Sequence, residues 1–173
     1  VRTFPFAKIL SKNHEVKIIG PVLGRNIYAP YSNEFEYQSV SYNRSDHKLL
    51  KFIKLFWGIL KLVKGDVIYV FKPKLTSFGI SLLAKLFYKV PIILDIEDFE
   101  SLTYHDLKLK DKLLLFLKPF DLNNVLYDYI LEKAIPLSNE NIIVSKFLQK
   151  RYGGTIICHG VDINIFNPDK FDR

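Results

Sequence analysis

Short runs of β-branched and aromatic residues recur along this chain, and stretches of helical period separate them. The runs are "EVKIIG" (Glu15 to Gly20), "YQSVSY" (Tyr37 to Tyr42), "DVIYVF" (Asp66 to Phe71), "PIILDI" (Pro91 to Ile96), "NIIVS" (Asn141 to Ser145) and "TIICHG" (Thr155 to Gly160). Between them the spacing predicts helices at about Phe4 to Lys12, Asp46 to Lys64, Ser77 to Tyr88, Lys108 to Leu117, Leu122 to Ala134 and Lys146 to Tyr152. Strands that alternate with helices pair in parallel, because a crossover helix returns each strand to the same direction. The fold class is therefore α/β, a Rossmann-like, doubly wound and mostly parallel sheet. Such a domain ordinarily opens with a strand and a glycine-rich turn, whereas this chain opens with a helix, "VRTFPFAKIL". The expectation is that a first, central strand is missing, which would leave two neighbouring strands unpaired and the segment poorly stable by itself.

At 173 residues the chain suits one domain with a substantial core. We take residues 1–173 as a single domain and as a piece of a longer protein. Its 49% hydrophobic content is that of a globular chain, and a formal charge of +7 favours anionic partners. A lone cysteine, Cys158, cannot form an internal disulfide, which fits a reducing compartment. No run reaches the roughly 18 uncharged apolar residues of a spanning helix. The expected location is cytoplasmic, in solution or peripheral at the inner membrane face.

In "VPIILDIEDFES" an apolar run stops at three carboxylates, Asp95, Glu97 and Asp98. Ligands of parallel sheets gather outside the carboxyl ends of the strands, so acids there read as functional sooner than acids elsewhere. Period-two alternation sends Asp95 and Glu97 to one face, with Asp98 on the following turn. Each acid taken singly also fits a helix cap or a lysine partner. A divalent cation is a further reading, but no His or Cys accompanies the cluster and the spacing suits no particular cage.

The closing phrase "IICHGVDINIFNPDKFD" ends a strand at Gly160 and continues through Val161 and Asp162 to an apolar anchor, Phe166, before Pro168. Glycine at a strand exit permits a turn or the close approach of a ligand. Cys158 and His159 suggest a thiol and its base, yet neighbours on a strand point to opposite faces. Cys158 is accordingly expected to be a buried structural residue.

In Asp46 to Gly65, stepping about 100° per residue puts Lys48, Lys51, Lys54, Lys61 and Lys64 on one face and Phe52, Phe56, Ile59, Leu60 and Val63 on the other. Leu50 and Trp57 fall among the lysines, as apolar wedges inside a basic frame. Membrane contact through Leu50, Trp57, Lys54 and Lys61 and a plain solvated surface both remain open. "LKLKDKLLLFLKPF" (Leu107 to Phe120) repeats the mixture just past the acids.

Five phrases in order, "FAKILSKNHEVKIIGP" (Phe6 to Pro21), "DVIYVFKPKLTSFGISLLAKL" (Asp66 to Leu86), "PIILDIEDFE" (Pro91 to Glu100), "NIIVSKFLQKRYGG" (Asn141 to Gly154) and "HGVDINIFNPDKFD" (His159 to Asp172), resemble the amino-terminal half of family 4 glycosyltransferases. Those are retaining enzymes with two facing Rossmann-like domains, the GT-B arrangement. The resemblance covers nearly the whole chain and implies an acceptor-side domain whose nucleotide-sugar donor is gripped mainly by a second domain absent here. It implies a sugar transfer with retained configuration, without a metal or other cofactor, to a hydroxyl acceptor such as a polysaccharide or glycolipid, a lipid-linked one among the candidates. This segment alone would then be inactive.

Under the resemblance Glu97 takes the place where the family commonly has histidine, and Asp98 the following aspartate, so both are the expected catalytic residues. A carboxylate there can orient an acceptor hydroxyl or accept its proton. Arg2 and Thr3 would be the surviving edge of a phosphate-binding loop at a helix start, and Lys72, Asp95, His159 and Gly160 the further substrate-binding residues. The "GVD" step would lead to the second domain. The rival from another class is a non-catalytic nucleotide-binding or receiver-type module, which would need an acid pair at the end of the first strand. Nucleic acid is not an expected partner, since the lysines lie on amphipathic helices and no nucleic-acid motif is present.

Overall fold

The computed structural model describes residues 2–23, 37–43, 45 and 47–160. The chain forms an α/β fold with parallel sheets, of the Rossmann-like kind. Its strands are β1 (Ile18–Leu23), β2 (Tyr37–Tyr42), β3 (Ile68–Phe71), β4 (Ile92–Ile96), β5 (Glu140–Ile143) and β6 (Thr155–Ile156). The helices are α1 (Thr3–Leu10), α2 (Lys48–Leu62), α3 (Ile80–Tyr88), α4 (Leu102–Asp106), α5 (Leu109–Leu115), α6 (Val125–Ala134) and α7 (Lys146–Tyr152). A π-helical turn, Leu75–Gly79, leads into α3, and a 3₁₀ turn, Ile135–Leu137, follows α6.

The strands fall into two sheets, β1-β2 and β3-β4-β5-β6, each parallel throughout. β4 is buried along nearly its whole length, with Ile92, Leu94, Asp95 and Ile96 inaccessible. That is why it reads as an unbroken apolar run without alternation: a central parallel strand is covered on both faces. Phe78, Leu131, Ile135 and Leu148 pack with it, together with Val70 and Ile143 of the flanking strands. Each large side chain so buried contributes about 1.5–3 kcal/mol.

A second cluster, Ile59 and Leu60 of α2 with Ile80 and Ala84 of α3, receives Ile19 from β1, Val40 from β2 and Ile68 from β3. The two sheets thus share one helical layer without sharing a ladder. Gly58 lets α2 lie directly on β2, since a Cβ there would meet a methyl of Val40 at 2.7 Å. Among the described residues no hydrogen-bonded pairing joins β1 to β3.

The structure departs from the sequence reading near its end. β6 stops at Ile156, and Cys158 is exposed instead of buried. The cause is visible in the hydrogen bonds. Ile157 N still donates to Ile143 O at 2.9 Å, but Ile157 O is taken by Arg2 Nη2 at 2.7 Å, which ends the ladder. Gly154, at φ 97, sets the other limit, because a Cβ there would lie 2.4 Å from the carbonyl oxygen of Asn141. α4 is a further addition, with no buried residue and no apolar period to announce it. The residues beyond Gly160, including the "GVD" step and Phe166, lie outside the described residues. Among those described, no helix is long and apolar enough to cross a membrane.

Among the described residues the edges of β1 and β3 have no strand paired between them, and backbone groups in a ladder position without partners cost stability. We expect the 173-residue chain to unfold over a broad thermal interval by circular dichroism. A sharp transition whose calorimetric and van't Hoff enthalpies agree would contradict this.

Candidate functional site

All four strands of the larger sheet run in the same direction, so their carboxyl ends share one edge. β3 ends at Phe71, in register with Asp95 of β4. The chain leaves β3 through Lys72, whose φ of 66 is left-handed and precedes Pro73. Such a backbone costs about 1–3 kcal/mol for a residue other than glycine. Three hydrogen bonds hold it: Lys72 N to Asp95 O at 2.9 Å, Lys74 N to Lys72 O at 2.8 Å, and Ser77 Oγ to Lys72 O at 2.7 Å. The result aims two lysines at the acids leaving β4.

Lys72 Nζ lies 2.6 Å from Asp98 Oδ2, 3.0 Å from Glu100 Oε1 and 3.8 Å from Glu97 Oε2. Lys74 Nζ lies 2.6 Å from Glu100 Oε2 and 2.8 Å from Asp128 Oδ2 of α6. Charges therefore alternate across the edge, with Glu100 between the two lysines. Burial on its own would lower both lysines, but the hydrogen bonds they donate to their carboxylate partners outweigh it and both are raised. Burial raises Asp128 despite Lys74. Glu97 is half-buried and Asp98 exposed. Glu97 meets Lys72 at the longest of these distances, and it faces the edge beside a cation.

Beneath this edge lies a second constellation. Asp95 is fully buried; its Oδ2 accepts from Tyr69 Oη at 2.8 Å and sits 3.2 Å from Arg2 Nε. The Arg2 guanidinium also stacks 4.5 Å above the Phe6 ring. Burial raises Asp95, with Tyr69 and Arg2 opposing, and His159 is near enough to oppose as well. Arg2 Nη1 and Asp95 Oδ1 are buried without a hydrogen-bond partner.

The loop between them is clamped from behind. Ser101 donates to Glu132 Oε2, while Arg151 reaches Glu132 Oε1 with Nε at 3.0 Å and Nη2 at 2.7 Å. The Arg151 guanidinium lies 4.0 Å over the Phe99 ring. Burial would raise Glu132, but Ser101 and Arg151 outweigh it and the carboxyl is lowered. Phe99 and Ser101 are thus tied to α6 and α7, which fixes where Glu97, Asp98 and Glu100 stand.

The structure brings Lys72, Glu97 and Asp98 together and sets Asp95 with Arg2 below them. Arg2 caps α1 but turns its side chain inward, so its charge serves Asp95 and not an anion in front of the helix. Thr3 is half-buried in the first turn of α1, and His159 and Gly160 are exposed beyond β6. Leu50 and Trp57 are 66% and 55% exposed on α2, with Lys54 and Lys61 exposed beside them. Sequence reasoning missed Lys74, Glu100, Asp128, Glu132 and Arg151. Glu100 stood two residues past the quoted acids; the others carry no local signal, since Lys74 and Asp128 are 54 positions apart. Among the described residues no group of three His, Cys, Asp or Glu is arranged to hold a metal ion. No family model matches this chain, and no curated protein matches it.

Asp95→Ala would leave Arg2 buried and unpaired, and is expected to cost about 3–5 kcal/mol in denaturant unfolding. Replacing Arg2 and Asp95 together by Leu should cost less than the sum of the single changes. Glu132 makes a second, pH-dependent expectation. Its lowered value adds stability above the ordinary carboxylate range that is lost as pH falls through the folded-state value. Asp95 and Asp128, being raised, act in the opposite sense and favour the fold at low pH. Glu132→Gln should therefore weaken the fold at about pH 7 and give a shallower decline towards about pH 3, read from urea midpoints. An unchanged decline would mean that Glu132 is not the acid concerned.

Proposed function

We propose that this chain is the acceptor-side domain of a retaining glycosyltransferase, which moves a sugar from a nucleotide-sugar donor to a hydroxyl acceptor. The observation that carries the reading is the half-buried Glu97 at the carboxyl edge of a parallel sheet, next to Lys72 and Asp98. The resemblance of five ordered phrases to family 4 enzymes supports the same assignment. In this reading Glu97 accepts a hydrogen bond, and then the proton, from the acceptor hydroxyl. Asp98 and Glu100 hold Lys72, which stands 3.8 Å from Glu97 as the cation beside it. Donor binding falls mainly to a second domain. The outward face of α2, with Leu50 and Trp57 among Lys54 and Lys61, supports an acceptor carried at an anionic membrane surface.

Glu97→Gln and Asp98→Asn test the reading in an enzyme that joins this chain to a donor-binding domain. Glu97→Gln should lower kcat roughly 100-fold or more with little loss of stability, and Asp98→Asn by less, since Asp98 acts through Lys72. Near-normal turnover in both would reduce the acids to surface ion pairs. Sugar transfer by residues 1–173 alone would overturn the division of labour.

A further inference from the structure

Helix α5 is amphipathic in the reverse sense. Leu109, Leu113, Phe116 and Leu117 recur at helical spacing over α5 and the turn that continues it, and they are 75%, 60%, 62% and 76% exposed. The side turned to the protein holds Asp111, Lys112 and Leu115, each half-buried, and α5 contributes no buried residue. A surface helix ordinarily does the opposite and spends its apolar stripe on the core. Nor is α5 loosely hung. Asn124, whose Oδ1 caps α6, donates from Nδ2 to Leu115 O at 2.9 Å and Lys118 O at 3.1 Å. Tyr127 donates to Pro119 O, and the Phe120 ring packs edge-on against Phe52 of α2 at 5.8 Å. The outward aim is thus set by hydrogen bonds and packing.

We propose that α5 is an interfacial anchor that lays Leu109, Leu113, Phe116 and Leu117 into an anionic lipid bilayer. Charge complementarity selects this occupant. Lys108, Lys110 and Lys118, all exposed, frame the apolar row, while the one acid between them, Asp111, is half-buried on the opposite side. A dry protein interface would have to desolvate those ammonium groups. At a bilayer surface the lysine stems lie along the apolar layer while their heads reach lipid phosphates. α5 follows directly on the acid-bearing loop and α4, so an anchored α5 holds the Glu97 edge near the membrane. The anchor stands apart from the sugar-transfer reading, since vesicle binding needs no turnover.

The test is co-sedimentation of the chain with phosphatidylglycerol-containing and with pure phosphatidylcholine vesicles. The wild type should prefer the anionic vesicles, and added salt should weaken the binding. Leu113→Glu with Leu117→Glu should weaken it at least about tenfold, as should Lys108→Glu with Lys110→Glu, with circular dichroism unchanged in both because all four residues are exposed. Equal binding to the two vesicle types would overturn the proposal, as would wild-type binding by the leucine variant. Light scattering that finds a dimer, lost in the leucine variant, would instead make this face a contact between copies.

Discussion

The ion pair between Arg2 and Asp95 joins segments that share no ladder. Asp95 lies at the centre of the larger sheet, Tyr69 donates to it from β3, and Arg2 brings α1 and the carbonyl of Ile157 to the same point. A buried pair of this kind adds little net stability over a well-packed apolar replacement, because both charges must first leave water. What it supplies is position. A buried guanidinium left without its carboxylate is so costly that alternative placements of α1 and of the chain after β6 are disfavoured. The backbone of Asp95 also receives Lys72 N, so the turn that aims Lys72 rests on the same residue.

Above that pair, the edge is a problem of like charges solved by interleaving. Glu97, Asp98, Glu100 and Asp128 converge where strands end, and carboxylates held together raise one another's cost of ionisation. Lys72 and Lys74 enter between them from a turn that a strained φ and Pro73 define. Because Glu100 bridges both lysines, neither lysine can leave without exposing an unbalanced acid. The Glu132 clamp works from the far side, and its partners come from the loop after β4 and from α7. The edge is thereby a built feature, held from two directions, and not a chance gathering of surface charge.

Much of this was legible in the chain. The run "IILDI" announces a central parallel strand because both its faces are buried, and the α2 pattern announces a helix because one face alone is. The placement of Leu50 and Trp57 among lysines followed from the same 100° step. Boundaries were less legible where a distant residue sets them. β6 is cut short by Arg2, which lies 155 positions away, and no local pattern could show that. The expected burial of Cys158 failed for this reason.

The sequence by itself determined the alternation of strand and helix, and hence parallel strands whose carboxyl ends share an edge. It also determined that acids stand at the exit of the most buried strand. These are short-range matters, set by side-chain period and by the need to bury apolar faces. Tertiary structure alone decided which acid is used for what. Asp95 went inward to Arg2 and Tyr69, Asp98 and Glu100 to lysines of the preceding strand exit, and Glu97 was left half-open beside Lys72. It likewise decided that α5 turns its leucines outward. The reason is the same in each case: a charge or an apolar stripe is committed by what packs against it, and the packing partners lie far away along the chain.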